Sequence, residues 1–303
     1  MISTRLSSRI APYLMVLPFV SIFLLFIVYP LFSSASLSMH ATAGPSVSEF
    51  VFLDNFRFLL ADELFWIALR NTVIFTTASV FIQIPLALGL ALALNSRGIV
   101  GRGLLRLVFF SPVLIGLVFA GLLFQLIFEK ETGLINSLLF QLTDTLSGLT
   151  GIDSVFDPEF PWLTRFVMPA LVLVALWMYT GFNMVYFLAA LQNVDRTLLE
   201  AASIDGAGAW SRFLHITIPA IRPVGTFVVL LSIIGSMQLF ELPWIMLNGP
   251  GPDNRGLTVV MYLYQWGFES GDLGYASAIG WALAIIMMAF ALLQRVFSGE
   301  RAA

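Results

Sequence analysis

The chain has 303 residues, of which 59% are hydrophobic and 11% charged, with a net charge of -3. A soluble domain carries about 25% charged residues, so this deficit, spread along the whole chain, makes lipid the solvent for most of it. With no cysteine there is no disulfide framework, thiolate nucleophile or cysteine-ligated metal, two distant histidines (His40 and His215) argue against a histidine-based centre, and the near-balanced charge gives no reason to invoke nucleic acid.

Crossing the hydrocarbon core takes roughly 20 apolar residues. Six segments meet that length, at about 12–38, 67–94, 104–128, 166–191, 224–247 and 273–297. They predict an all-α polytopic membrane protein, with 1–303 as a single transmembrane domain. Arg5 and Arg9 precede the first run as in a signal peptide, but the run is too long and no small-residue cleavage site follows, so an uncleaved anchor is expected.

Basic residues set orientation, because they are retained on the cytoplasmic side. With the N-terminus inside, Arg5, Arg9, Arg97, Arg102, Arg106, Arg196, Arg212, Arg222, Arg295 and Arg301 are cytoplasmic. Arg57, Arg70, Lys130, Arg165 and Arg255 are then outside. The split of ten to five favours an N-terminus in the cytoplasm and, with six crossings, a C-terminus there too. Trp66, Trp162 and Trp266 fall at the expected outer boundary, as an aromatic belt does or as simple packing would. The outer loops 39–66 and 129–165 are long, and GLINSLLFQL in the second reads as a short interfacial helix. The inner loop 95–103 is short, basic and glycine-rich. Gln83 and Gln125 are expected to make helix–helix hydrogen bonds, Asn71 beside Arg70 to be interfacial, and Pro85, Pro112 and Pro169 to be tolerated kinks.

The one large cytoplasmic feature is 192–223. Asp195 can cap a short helix by accepting a first-turn N–H bond, after which Leu198, Leu199, Ala201, Ala202 and Ile204 supply an apolar surface from which Glu200 projects. Asp205-Gly206 reads as a turn in which glycine takes φ > 0 without a clash. Trp210, Phe213, Leu214, Ile216 and Thr217 then share a helical stripe, and Pro219 is expected to end that helix and redirect the chain to the membrane. Two short helices meeting at a slim corner fit a groove on a soluble partner; the alternative is a hairpin lying on the bilayer.

The run E-A-A-x-x-D-G-A, with Glu200, Ala201, Ala202, Asp205, Gly206 and Ala207 followed by Phe213, Ile216, Pro219 and Pro223, resembles the EAA signature of binding-protein-dependent ABC importer permeases. PYLMVLPFVSIFLLFIVYP, NTVIFTTASVFIQIPLALGLALALN and FELPWIMLNGPGPDNRGLTVVMYLYQWGFESGDLGYASAIG are similar to the carbohydrate-uptake branch, the maltose- and glycerol-phosphate-type permeases. The last run looks more like the F-type than the G-type subunit. The resemblance implies the type I importer permease fold and a sugar-transporting subunit that is not itself an enzyme. No G-x-x-x-x-G-K-[ST] loop is present, so ATP and magnesium would be bound by partner ATPase subunits.

Implied partners are two copies of a cytoplasmic ABC ATPase, a second, homologous G-type permease and an extracytoplasmic solute-binding protein. The ATPase would hold the EAA loop in a cleft, with Glu200 meeting a basic group and Gly206 permitting the bend. In this family the helices flanking that loop contact solute, which by position offers Tyr179, Phe182, Asn183 and Tyr186, then Ser232, Gly235, Ser236, Gln238, Leu239 and Glu241. Where the family's maltose-binding subunit has asparagines this chain has Ser236 and Leu239, so a maltose-like site is not implied. Glu241 is an acidic residue within an apolar segment, costly in lipid and hence a candidate for function; otherwise Pro243 ends the helix and Glu241 faces a hydrated vestibule. An ion-coupled secondary transporter is the alternative, set against the absence of a visible repeat. A membrane-embedded hydrolase would need converging His, Asp or Ser groups that the spans do not offer.

Overall fold

The computed structural model describes residues 11–298 apart from 43, 45–47, 97, 151–156 and 158. Arg5, Arg9, Arg97 and Arg301 therefore lie outside the described residues. α1 (Ala11–Phe23) and α2 (Tyr29–Leu37) form one helix through a π-helical turn, Leu24–Val28. A small antiparallel pair follows, β1 (His40–Thr42) and β2 (Ser48–Phe50), with Ala41 opposite Glu49. Next come α3 (Asp54–Ala61), α4 (Glu63–Asn95), α5 (Arg102–Phe110), α6 (Pro112–Ile115) and α7 (Leu117–Ile127). α8 (Leu134–Thr150) precedes α9 (Val167–Gln192) and α10 (Arg196–Ile204). α11 (Ala209–Arg212) continues through a π-helical turn, Phe213–Thr217, into α12 (Ile218–Met237). The chain ends with α13 (Glu241–Leu247), α14 (Val259–Tyr264) and α15 (Leu273–Ser298). Among the described residues, five helices are long and apolar enough to cross a membrane, and the bent pair around Gly116 makes a sixth if counted as one span.

Three expectations change in detail. The segment read as continuous over 104–128 turns by 98° between Ile115 and Leu117. Gly116 sits there at φ 85, ψ 151, a conformation that glycine adopts without the penalty a Cβ brings. The segment read over 224–247 breaks after Met237: Leu239 and Phe240 leave the helix before α13 begins. Carbonyls freed inside a bilayer must find partners, and Thr258 Oγ1 donates to the Leu239 carbonyl at 2.6 Å. Pro219, expected to end the amphipathic helix, instead lies in the first turn of α12 within a helix running from Ala209 to Met237. Proline lacks an N–H and crowds the carbonyl four residues back; the π-helical turn Phe213–Thr217 immediately before it has the wider ladder that accommodates such an interruption.

The chain divides into two compact units, Met1–Asp62 with Tyr262–Ile285, and Glu63–Met261 with Ile286–Ala303. In the first, Asn55 ties the strand entry by donating to the Ser38 and His40 carbonyls, both at 2.9 Å. Thr42 donates to Asp272 and accepts from the Gly274 amide. The Asp62 carboxylate accepts from the Tyr262 and Tyr275 hydroxyls, within a cluster of rings that includes Phe58 and Trp266.

The second unit is built on α4 against α9. Ala87 and Ala91 on α4 are fully buried, so the backbones approach closely and Leu94, Met184, Phe187 and Leu188 close around them. Without a hydrophobic drive inside lipid, such small-residue contacts are what hold membrane helices together. A second core, around Phe75, Leu171, Met178, Leu242 and Met246, joins α4, α9 and α13. Asn71, expected at the interface, donates to the Asn254 and Leu257 carbonyls, and Thr72 accepts from the Val259 amide, so the start of α4 fixes the loop before α14.

Candidate functional site: a capped corner and a membrane cavity

The corner at 192–209 is built from local hydrogen bonds. Asp195 has extended backbone and its carboxylate accepts from the Thr197 hydroxyl and amide, both at 2.8 Å. Those two bonds, the hydroxyl's first, hold its carboxyl below the ordinary aspartate value. At the other end of α10 the Ala207 amide donates to the Ala202 carbonyl (2.9 Å) and the Gly206 amide to Ser203 (3.2 Å). This is the paired closure of a Schellman cap, and it requires left-handed backbone at Gly206, whose φ is 81°.

The corner presents apolar side chains to its surroundings. Ile204 is 87% exposed and Trp210 70%, and Leu198 and Leu214 are exposed beside them. Glu200, Ala201 and Asp205 are exposed as well, whereas Ala202, Ala207 and Phe213 are half-buried and Pro219 is exposed. Trp210 packs on Phe213 with ring centroids 5.4 Å apart. Exposed large apolar side chains of this kind, with Glu200 and Asp205 exposed among them, suit a protein interaction surface.

The second feature is a cavity of about 190 Å³ in the α4–α9–α12 unit. Nine of the ten side chains expected along a solute path line it: Tyr179, Phe182, Asn183, Ser232, Gly235, Ser236, Gln238, Leu239 and Glu241. Asn183 donates to Ser232 across the α9–α12 seam at 3.1 Å. The break after Met237 turns the 238–241 stretch onto the cavity, and Glu241 opens α13, where the unpaired amides of a helix start favour a carboxylate. Tyr186 is the exception. One turn beyond Phe182, it packs edge-on to Phe182 (5.3 Å) and Phe227 (6.1 Å), away from the lining.

Sequence reasoning missed the wall from α4: Phe75, Ser79 and Gln83 line the cavity with Leu117 of α7. A signal existed. Thr72, Thr76, Ser79 and Gln83 recur on one face of an otherwise apolar span, a spacing that brings them into a single stripe. Gln83, expected to hydrogen-bond another helix, has no protein partner for its Nε2 among the described residues. No lysine or arginine lines the cavity, and among the described residues no three His, Asp or Glu side chains converge to hold a metal.

Broken apolar helices around a cavity whose mostly apolar lining carries a few polar groups, with a capped corner between two spans, suit a membrane transport subunit. Residues 83–298 match the family described as "binding-protein-dependent transport system inner membrane component". The chain is 39% identical to the arabinooligosaccharides transport system permease protein AraP of Bacillus subtilis over 97% of this chain and 90% of that one. It is 35% identical to the lactose transport system permease protein LacF of Rhizobium radiobacter, covering 95% and 94%. In fold it matches a bacterial ABC transporter chain involved in import of the acidic polysaccharide alginate, with a TM-score of 0.75, 23% identity, and 97% and 96% of the two chains covered.

The chain belongs to this family of inner-membrane components. It is a permease subunit of an ABC importer of the carbohydrate-uptake branch, it couples to an ATPase, and it has the type I importer permease fold. Membership implies an ATPase, a binding protein and a second permease as partners. The matches give no support to an ion-coupled secondary transporter.

Proposed function

We propose that this subunit carries a neutral oligosaccharide through the α9–α12 cavity. The observation that carries the reading is the lining: aromatic rings at Tyr179 and Phe182, hydroxyl and amide groups at Asn183, Ser232, Ser236 and Gln238, and no cation. An anionic or phosphorylated solute would need positive charge in a low-dielectric passage. The relatives' names divide: arabinooligosaccharides, lactose and diacetylchitobiose are uncharged, whereas sulfoquinovosyl glycerol carries a sulfonate, so the cation-free lining decides the choice. Gly235 and Leu239 leave room beside the polar groups, Glu241 accepts from sugar hydroxyls, and Tyr186 supports Phe182 from behind.

In this reading six membrane passes place both termini in the cytoplasm. Two ATPase copies grip segment 192–223 of this chain and the matching loop of a G-type partner permease. Glu200 pairs with a basic group in the ATPase cleft, Ala201, Ala202 and Ala207 keep the corner slim, and Asp205-Gly206 sets its angle. Phe213 and Pro219 carry cleft closure into α12, because that helix is continuous with the corner. The exposed apolar side chains from Pro12 to Ile27 meet lipid and the second permease. A binding protein delivers the sugar to the outer loops.

The test is uptake in the native host with and without this gene, using arabinobiose, lactose, diacetylchitobiose and an alginate oligosaccharide. Loss of one neutral sugar, restored by the gene, is expected. Loss confined to the anionic probe, or to none, overturns the reading. Glu241→Gln keeps shape and removes charge; it is expected to lower the maximal uptake rate several-fold, since a hydrogen bond to a charged group is stronger than one to a neutral amide by about 1 kcal/mol. Unchanged uptake kinetics would place Glu241 outside the solute path.

A further inference from the structure

Ser79 and Gln83 are buried, at 1% and 3% exposure, in the middle of α4. Among the described residues neither Ser79 Oγ nor Gln83 Nε2 has a hydrogen-bond partner, yet both residues line the cavity. A buried donor left unmade is costly, and native proteins satisfy nearly all of them. Their neighbours show what a structural role looks like here. Thr72, on the same stripe, donates to Ala68 and accepts from the Val259 amide, and Asn183 and Ser232 satisfy each other. Thr76 is also unpartnered, but it lines a separate, apolar hollow with Val73, Phe81, Ile233 and Phe290. Ser79 and Gln83 are thus residues of this cavity's lining that carry a buried polar atom with no protein partner among the described residues.

We infer that Ser79 and Gln83 form a hydroxyl-reading subsite on α4, which recognises neighbouring hydroxyls of the transported sugar. The inference rests on the carbohydrate-import reading. Residues four apart lie one turn apart on a helix face, about 5–6 Å between Cβ atoms, within reach of adjacent hydroxyls on one ring. A glutamine amide offers a donor and an acceptor side by side, and serine offers both on one atom. Together they complement the donor–acceptor pairs of a polyol edge. Tyr179 and Phe182 supply ring faces for the sugar's C–H surface on the α9 side of the same cavity. A site built to bond a hydroxyl discriminates against the analogue lacking it, because its own polar groups then stay unpaired.

The experiment is uptake in the native host through the intact importer, comparing wild type with Ser79→Ala and Gln83→Met. The probes are arabinobiose, lactose and diacetylchitobiose together with their monodeoxy derivatives, each at concentrations that saturate the binding protein. Maximal rates then report the permease and not the receptor. The wild type is expected to favour the parent sugar over one monodeoxy analogue by about fivefold, the factor given by the central value for a single net hydrogen bond. Each variant is expected to slow the parent by a similar factor and to bring that preference to within about twofold. A second readout is the thermal midpoint of the solubilised complex, expected to be unchanged or raised because an apolar side chain replaces an unpartnered polar one.

Retained discrimination across every deoxy position, with or without a lowered midpoint, overturns the subsite and assigns the pair to helix packing. A wild type that imports none of the parent sugars overturns the import reading, and this inference with it. The two failures are therefore distinct.

Discussion

Tryptophan at Gly206 is expected to leave the permease inserted and folded while ATP hydrolysis no longer drives uptake. Gly206 is the left-handed residue that closes α10, at φ 81°. A side chain there costs about 1–2 kcal/mol of backbone strain, which a membrane protein of this size tolerates. Apart from the adjacent residues, no atom among the described residues lies within 4 Å of a Cβ built at that position, so the side chain starts into open space. In the proposed docking, what it meets is the ATPase surface that grips the corner. Losing a central anchor of a protein interface costs about 2–4 kcal/mol, enough to reduce uptake by more than about tenfold. Alanine at the same position carries the strain without the bulk, so its defect should be smaller. Equal amounts of both variants in the membrane, with wild-type coupling, would remove the corner from the mechanism.

Leucine at Gly181 is expected to fail differently, by loss of the folded subunit. Gly181 lies on α9 where α5 crosses it, and a Cβ there would overlap the Phe109 carbonyl and crowd the Phe110 amide. Those are backbone atoms and cannot rotate aside. Overpacking a core costs about 1–3 kcal/mol where side chains can give way, and here the helices themselves must separate. Even alanine should lower the thermal midpoint of the purified complex, and leucine should leave little protease-resistant subunit. A wild-type midpoint for the alanine variant would contradict the crossing.

These two glycines also mark what the amino-acid sequence could and could not reveal. The left-handed turn at Asp205-Gly206 was legible because a local dipeptide dictates it. The closeness of Gly181 to Phe109 was not, since it depends on a crossing between residues 72 positions apart. The long apolar runs announced a membrane protein because composition alone decides the solvent. Their interruptions were hidden for the same reason: hydropathy is blind to a 98° bend at one glycine or to an unwound stretch after Met237. Pro219 misled because proline usually ends a helix, whereas a π-helical turn just before it lets this one continue. The α9 and α12 sides of the cavity could be located because they flank the EAA segment. The α4 side could not, because Ser79 and Gln83 look like ordinary interhelical polar residues until their unpartnered atoms are seen in place.

The central claim is that segment 192–223 docks an ATPase whose cycle moves a sugar through this subunit. Its most direct test is purification of the tagged chain from native membranes in mild detergent, wild type beside Gly206→Trp. An ABC ATPase is expected to co-elute stoichiometrically with the wild type, together with a second permease, and the variant is expected to lose the ATPase while keeping the permease. A wild-type chain that elutes folded and alone at every salt concentration would contradict the claim.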